Sequence, residues 1–242
     1  MQFIIYTLLN YLNCSIKHDT YYDIARILLV NINRVRSLSL EQTAEMTNVS
    51  ISTLNRFFKR IGYYNFSTFR DMLNFSNPPF SDEMFTDNVD DIQSDLAAIE
   101  QIDAKYFDEV AKLIKNAKRI YVCGFGDFQY QAGYFQNVML YYGKLIEIVS
   151  QYRDLNKIKI NDDDLLIVTS IGGRFITSSF SYINSFNCPK VLITKAYDKS
   201  WNFDWVLAIN TLDHESTRKY FISRIFDKIL NSYHLNCSNI EQ

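Results

Sequence analysis

The 242-residue sequence predicts two domains of different class. Residues 1–77 form an all-α front, and residues 88–242 form a three-layer α/β domain on a five-stranded parallel sheet. Three observations carry this division. Apolar residues recur at helical spacing as far as Leu73, whereas from residue 119 short apolar runs alternate with helical stretches. Between the two regimes, NFSNPPFSDE at 74–83 sets Pro78 and Pro79 among polar residues, which ends any helix and marks 78–87 as a linker. Charge divides at the same place. Through Asn77, eight basic residues stand against five acidic ones, a net of +3; the whole chain carries −2, so the remainder carries −5. Such a chain is not a uniformly basic nucleic-acid binder, but a basic front on an acidic back suits a DNA-binding module joined to a different domain.

Each element has its own signal. Residues 3–12 predict a very apolar helix, and 20–34 a second, with Tyr22, Ala25, Leu29 and Ile32 on one face. In SLSLEQTAEM, Ser39 can cap a helix and Gln42, three places on, completes a capping box. That helix ends near Thr47, and Ser50 offers another N-cap almost at once. The next helix buries Leu54, Phe57, Phe58 and Ile61 and displays Ser52, Asn55, Arg56 and Lys59. A further helix starts near Asn65, with Phe66, Phe69 and Leu73 inward. After the linker, 88–101 and 103–117 read as two amphipathic helices. The runs RIYVCGFG, LIEIV, DLLIVTSI, KVLITKA and WVLAIN then read as buried strands, interleaved mainly with helices near 128–142, 174–185 and 216–233. Continuous apolar strands alternating with helices imply a parallel sheet covered on both faces.

Composition narrows the function classes. Hydrophobic residues make up 48% and charged residues 21%, enough to build a core. The four cysteines are far apart and do not pair with the three histidines at metal-binding spacing, so free thiols in a reducing compartment, no metal and no cofactor are expected. The start, MQFIIYTLLNYL, lacks a basic segment and a cleavage site. No apolar run approaches the length of a membrane span. A cytoplasmic protein without a membrane partner is the expectation.

Two short helices joined by a turn of about three residues make a helix-turn-helix. Ala44 is small where the helices touch, and Asn48 sits in the turn, where a positive φ is often required and Asn is tolerated next after Gly. Ser52, Thr53 and Arg56 can then reach base edges, and Asn55 a base or a phosphate; Lys59, Arg60 and the amides at Ser50 suit phosphates. On these residues, Leu38 to Leu73 resembles the N-terminal domain of RpiR-type transcription regulators. Their pattern A-E-x-x-x-V-S-x-x-T-x-x-R-F-x-K-x-x-G is matched by Ala44, Glu45, Val49, Ser50, Thr53, Arg56, Phe57, Lys59 and Gly62. The resemblance implies a DNA-binding domain linked to a sugar isomerase (SIS) domain.

The rest of the chain extends the resemblance. AKRIYVCGFGDFQYQAGYFQNVMLYYGK is similar to the opening strand, glycine turn and helix of an SIS domain, and DLLIVTSIGGRFI to its second ligand loop. This implies a ligand site at Gly124, Gly126, Asp127, Ser170, Gly172, Gly173 and Arg174. The sequence departs from the family at three hydroxyl positions: Phe128 stands at the usual Ser of the first loop, Gly172 at the second Ser of the other, and Phe175 at its Thr. Each lost hydrogen bond to a charged group is worth about 1.5–3 kcal/mol. Arg174 could compensate as a cation, and the two phenylalanines could instead fill the pocket.

The implied partners are double-stranded operator DNA, a sugar-phosphate effector, and a second copy in a homodimer or higher even oligomer. Two alternatives stand beside a sensing regulator: an SIS domain that only dimerises, and a sugar-phosphate isomerase. Isomerisation needs a base beside the substrate. His18, His214 and His234 suit structural or surface roles, the Asp162–Asp164 cluster reads as a solvated turn, and Glu215 is the one candidate base. The expectation is a protein that is not an enzyme.

Overall fold

The computed structural model describes residues 2–16, 18–75, 89–124, 128–149, 155, 158–195, 197–198, 200–209 and 218–237. The chain divides into two compact units, Met1–Ser81 and Asp82–Gln242. The whole of the expected linker, 78–87 with Pro78 and Pro79, lies outside the described residues, as do His214 and Glu215.

The described part of the first unit is helical: α1 (Gln2–Cys14), α2 (Thr20–Val30), α3 (Ile32–Val35), α4 (Leu40–Met46), α5 (Ile51–Arg60) and α6 (Phe66–Phe75). The single helix expected over 20–34 is broken at Asn31, whose backbone leaves helical geometry at φ −109°, ψ 21°. Asn31 Nδ2 donates to the Ile27 carbonyl at 2.9 Å, a local bond that competes with the next helical turn. The expected inward stripe also differs. Ile24, Ala25 and Leu28 are buried, while Tyr22 and Leu29 are half-buried. Tyr22 stacks on exposed His18 with ring centroids 4.0 Å apart, a contact at the edge of the domain rather than in its core.

The core of this unit holds an aromatic cluster among aliphatic side chains. Phe58 lies 4.8 Å from Phe69 and 5.6 Å from Phe66, and Tyr11 meets Phe57 edge-on at 5.6 Å. Phe57 and Phe58, adjacent on α5, are both fully buried. Burying each contributes about 1.5–3 kcal/mol, so the amphipathic stripe seats α5 firmly on the domain.

The second unit comprises α7 (Val89–Glu100), α8 (Ala104–Asn116), β1 (Ile120–Gly124), α9 (Phe128–Tyr141), β2 (Ile146–Val149), β3 (Leu165–Thr169), α10 (Arg174–Ser185), β4 (Lys190–Thr194), β5 (Trp205–Ala208) and α11 (Arg218–Asn236). All strand pairs are parallel, in the order β2-β1-β3-β4-β5. Every residue of β1, β3 and β4 is buried. That is why their central residues are apolar on both faces rather than alternating, with polar side chains only at the ends: Thr169, Lys190 and Thr194. Ile120, Val122, Ile167 and Ile193 join a core with Ile114 of α8, Phe135 of α9 and Ile225 of α11. Tyr121, Cys123, Leu166 and Val168 pack with Phe175, Ile176 and Ile183 of α10 on the other side. The result is a three-layer α/β domain.

The Asp162–Asp164 turn is not uniformly solvated. Asp162 and Asp163 are exposed, but the Asp164 side chain is wholly buried and receives Arg119 Nη2 at 3.0 Å and the Asn161 amide at 2.8 Å. A carboxylate sealed at the foot of β3 needs these donors. All four cysteines are free, and three are buried. Burial pushes the Cys188 thiol up to about 11 and the Cys123 thiol further still, so neither is a ready nucleophile. No helix among the described residues is long and apolar enough to cross a membrane.

Candidate nucleic-acid interface and ligand crevice

In the first unit, local hydrogen bonds set where α4 and α5 begin. The Ser39 amide donates to Gln42 Oε1 at 2.8 Å and the Gln42 amide donates back to Ser39 Oγ at 3.2 Å, closing the capping box that starts α4. Asn48 has φ +53°, and among the described residues no other non-glycine has a positive φ. That left-handed step reverses the chain, and the Val49 amide returns to the Ala44 carbonyl at 3.0 Å. Ala44 is buried at the contact, as its small side chain requires. Ser50 Oγ then accepts the Thr53 amide at 3.2 Å and starts α5.

On α5, Ser52, Arg56, Lys59 and Arg60 are exposed, Thr53 and Asn55 are half-buried, and Ser50 is exposed at the cap. The helix contains no acidic residue. Arg56 Nη2 donates to Ser52 Oγ at 3.4 Å, so these two groups share one patch. The Lys59 ammonium stands 6.0 Å from the ring centre of exposed Tyr64. Asn55 turns its amide oxygen into a sealed position without a donor among the described residues. A shallow concavity of about 490 Å³ lies between the starts of two helices, lined by the cap Asp19 with Thr20 and Tyr21 of α2, and by Val49 of the turn, the cap Ser50 and Thr53 of α5. Asp19 caps α2, accepting the Tyr21 and Tyr22 amides at 3.0 Å. Two features of this surface were missed in the sequence, Ile51 and Tyr64. Both are exposed large apolar residues, and neither follows from the helical pattern that marks the polar face.

In the second unit, the chain leaves β1 toward β2 on one side and returns to β3 on the other. Ligands of open parallel sheets bind at such a reversal, outside the carboxyl ends of the strands. Gly124 and Thr169 end β1 and β3 as direct partners in register. Gly126 and Asp127 lie outside the described residues. Ser170 follows Thr169 but is buried, its Oγ accepting the Ile176 amide at 3.3 Å and its carbonyl accepting Thr194 Oγ1 at 2.9 Å. Gly173 takes φ +74°, a conformation that penalises any side chain, and α10 begins at Arg174, whose side chain lies outside the described residues. Open space lies where a Cβ on Gly172 would point, and Trp201 stands 3.7 Å from one on Gly173.

Phe128 and Phe175 are 2% and 1% exposed and pack in the cores on opposite sides of the sheet. They serve as core residues, so among the described residues the crevice presents main chain and glycines rather than free hydroxyls. His234 Nδ1 lies 3.0 Å from Tyr142 Oη. No group of three His, Cys, Asp or Glu among the described residues could hold a metal ion.

No protein-family model matches the chain, and no curated protein matches it. Solved structures do. A Methanococcus jannaschii protein inferred to be a 3-hexulose-6-phosphate isomerase is 18% identical, with a TM-score of 0.50 over 61% of this chain and 90% of that one. An E. coli CFT073 protein in complex with a sugar phosphate is 15% identical, with a TM-score of 0.50 over 66% and 96%. The Vibrio vulnificus NanR protein complexed with ManNAc-6P is 20% identical, with a TM-score of 0.48 over 95% and 92%. At these identities the likeness concerns the fold: the second unit has the sugar isomerase (SIS) α/β architecture.

Proposed function

We propose that the chain is a sequence-specific, DNA-binding transcription regulator of the RpiR type, controlling genes of carbohydrate metabolism. The observation that carries this reading is the α4–turn–α5 arrangement. Its positive-φ Asn48 reverses the chain, and it displays Ser52, Arg56, Lys59 and Arg60 on one acid-free face. Ser52, Thr53 and Arg56 read base edges, with Asn55 beside them. Lys59, Arg60 and the amides beside Ser50 hold phosphates. One short helix reads too few bases alone, so two copies bind a palindromic operator as a homodimer or higher even oligomer.

The second unit takes a sugar phosphate at the β1/β3 crevice and passes its presence to the DNA-reading units. Support comes from the fold it shares with the sugar-phosphate-bound E. coli protein and from the switch-point position of Gly124, Ser170, Gly172 and Gly173. The effector uses main-chain amides and Arg174 in place of absent hydroxyls. A second reading, in which this unit only dimerises, is favoured by one observation: the Ser170 hydroxyl is already committed to the Ile176 amide. No catalytic role is proposed.

Fluorescence anisotropy with the DNA upstream of the protein's own gene tests the first claim: wild type binds, Arg56→Ala binds far less, and equal binding by both overturns it. Thermal-shift measurements with sugar phosphates separate the two readings of the second unit, since only the sensing reading expects stabilisation. Turnover of any of those compounds would replace both with the isomerase reading.

A further inference from the structure

Ile51 opens α5 and is 41% exposed. The other large apolar side chains of that helix, Leu54, Phe57 and Phe58, are fully buried. The other exposed side chains of α5, Ser52, Arg56, Lys59 and Arg60, are polar or cationic. An isolated exposed isoleucine is ordinary on a protein surface. At the first position of this helix it has a more definite use.

A helix that reads the major groove presents its N-terminal residues to the base edges. Ile51, Ser52 and Arg56 hold the first, second and sixth positions of α5. Ser52 and Arg56 sit together at 3.4 Å and supply hydrogen-bonding groups. Consecutive helical residues diverge by about 100°, so Ile51 addresses a different part of the groove floor. Placed against a base donor or acceptor, its side chain would leave that group without a partner, which is unfavourable. The floor of the major groove has one apolar group, the C5-methyl of thymine. A β-branched side chain in a helix is already held near one rotamer, so little freedom is lost on contact.

We infer that Ile51 is a specificity-determining residue that reads a thymine methyl next to the base read by Ser52 and Arg56. The inference rests on the DNA-reading role proposed for α5.

The test starts from duplexes selected by the full-length protein out of a random-sequence pool. Each thymine of the selected duplex is then replaced singly by deoxyuridine, which pairs alike but lacks the methyl. At one position per half-site the wild-type protein should lose about fourfold in affinity, the equivalent of about 0.8 kcal/mol for one methyl group. Ile51→Ser should bind the thymine and uracil forms equally, and Ile51→Val should keep the discrimination. Ile51→Gln, a better helix former, repeats the comparison should serine fray the helix. A selected sequence at which every such replacement is neutral overturns the inference, as does unchanged discrimination in both Ile51→Ser and Ile51→Gln. If no sequence is enriched, the DNA-reading role itself fails and takes this inference with it.

Discussion

A Cβ placed on Gly124 would lie 2.2 Å from Oγ1 of Thr169 and 2.8 Å from its carbonyl oxygen. The two residues are partners at the carboxyl ends of β1 and β3, and Thr169 Oγ1 donates to the Cys123 carbonyl at 3.0 Å. The strands meet so tightly here that only glycine fits. Gly124→Ala is therefore expected to destabilise the protein by about 1–3 kcal/mol or more through overpacking against main chain. Urea denaturation checks it: the midpoint should fall at nearly constant slope, whether or not the crevice binds a ligand.

The Arg119–Asp164 pair is asymmetric. Asp164 is wholly buried while the Arg119 side chain is 40% exposed. Arg119→Leu strands a buried carboxylate and should cost about 3–5 kcal/mol. Asp164→Ala leaves a cation that can reach water, so the loss should be nearer 1–2 kcal/mol, mainly the orphaned Asn161 amide. Chemical denaturation of both variants should rank Arg119→Leu as the less stable.

Glu100 joins α7 to α11. Arg224 donates to it at 2.6 Å and Lys228 stands at 2.9 Å, and these hydrogen bonds, Arg224 first, lower its pKa to about 2. A depressed folded pKa means that the unfolded chain takes up the proton first. The stabilisation is whole above the ordinary value of 4.5 and is lost as pH falls from there toward about 2. Because Glu100 is 47% exposed, screening limits the effect to below about 1 kcal/mol. The stability difference between wild type and Glu100→Gln should be constant from pH 7 to pH 5 and shrink from pH 4.5 downward, more clearly at low salt.

Asn48 carries the turn between α4 and α5 at φ +53°. Asn48→Gly should be tolerated. Asn48→Val must place a β-branched residue in the left-handed region and should cost about 1–2 kcal/mol. If α5 is the reading helix, Asn48→Val should also lower DNA affinity by more than its stability loss explains. Melting temperature and DNA anisotropy on the same samples test both.

Arg56 and Lys59 should fail differently. Arg56→Ala is expected to cost about 1–3 kcal/mol of discrimination between the preferred duplex and a mismatched one. Lys59→Ala should weaken all duplexes alike and reduce the slope of log affinity against log salt by about 0.9. Titrations at several salt concentrations separate the two effects.

The elements, their order and the division into a helical and an α/β part were legible in the sequence because they rest on local chemistry. Ser39 and Gln42 meet across one helical turn, Asn48 tolerates its own backbone angle, and the short, β-branched apolar runs at the centres of β1, β3 and β4 suit buried strands. Hydrogen bonds and periodicity within a few residues are written in the chain itself. Relationships across the fold were not. Nothing adjacent to Asp164 announces Arg119, which lies 45 positions away in sequence. The break at Asn31 is local yet was not legible either, because its side-chain bond to Ile27 and a continuing helix compete over the same turn. Strand order, the burial of Phe128 and Phe175 on opposite sides of the sheet, the sealing of the Ser170 hydroxyl and the exposure of Ile51 were decided by tertiary packing. Which groups remain free to meet a ligand depends on what the rest of the chain covers, and that is a property of the assembled fold.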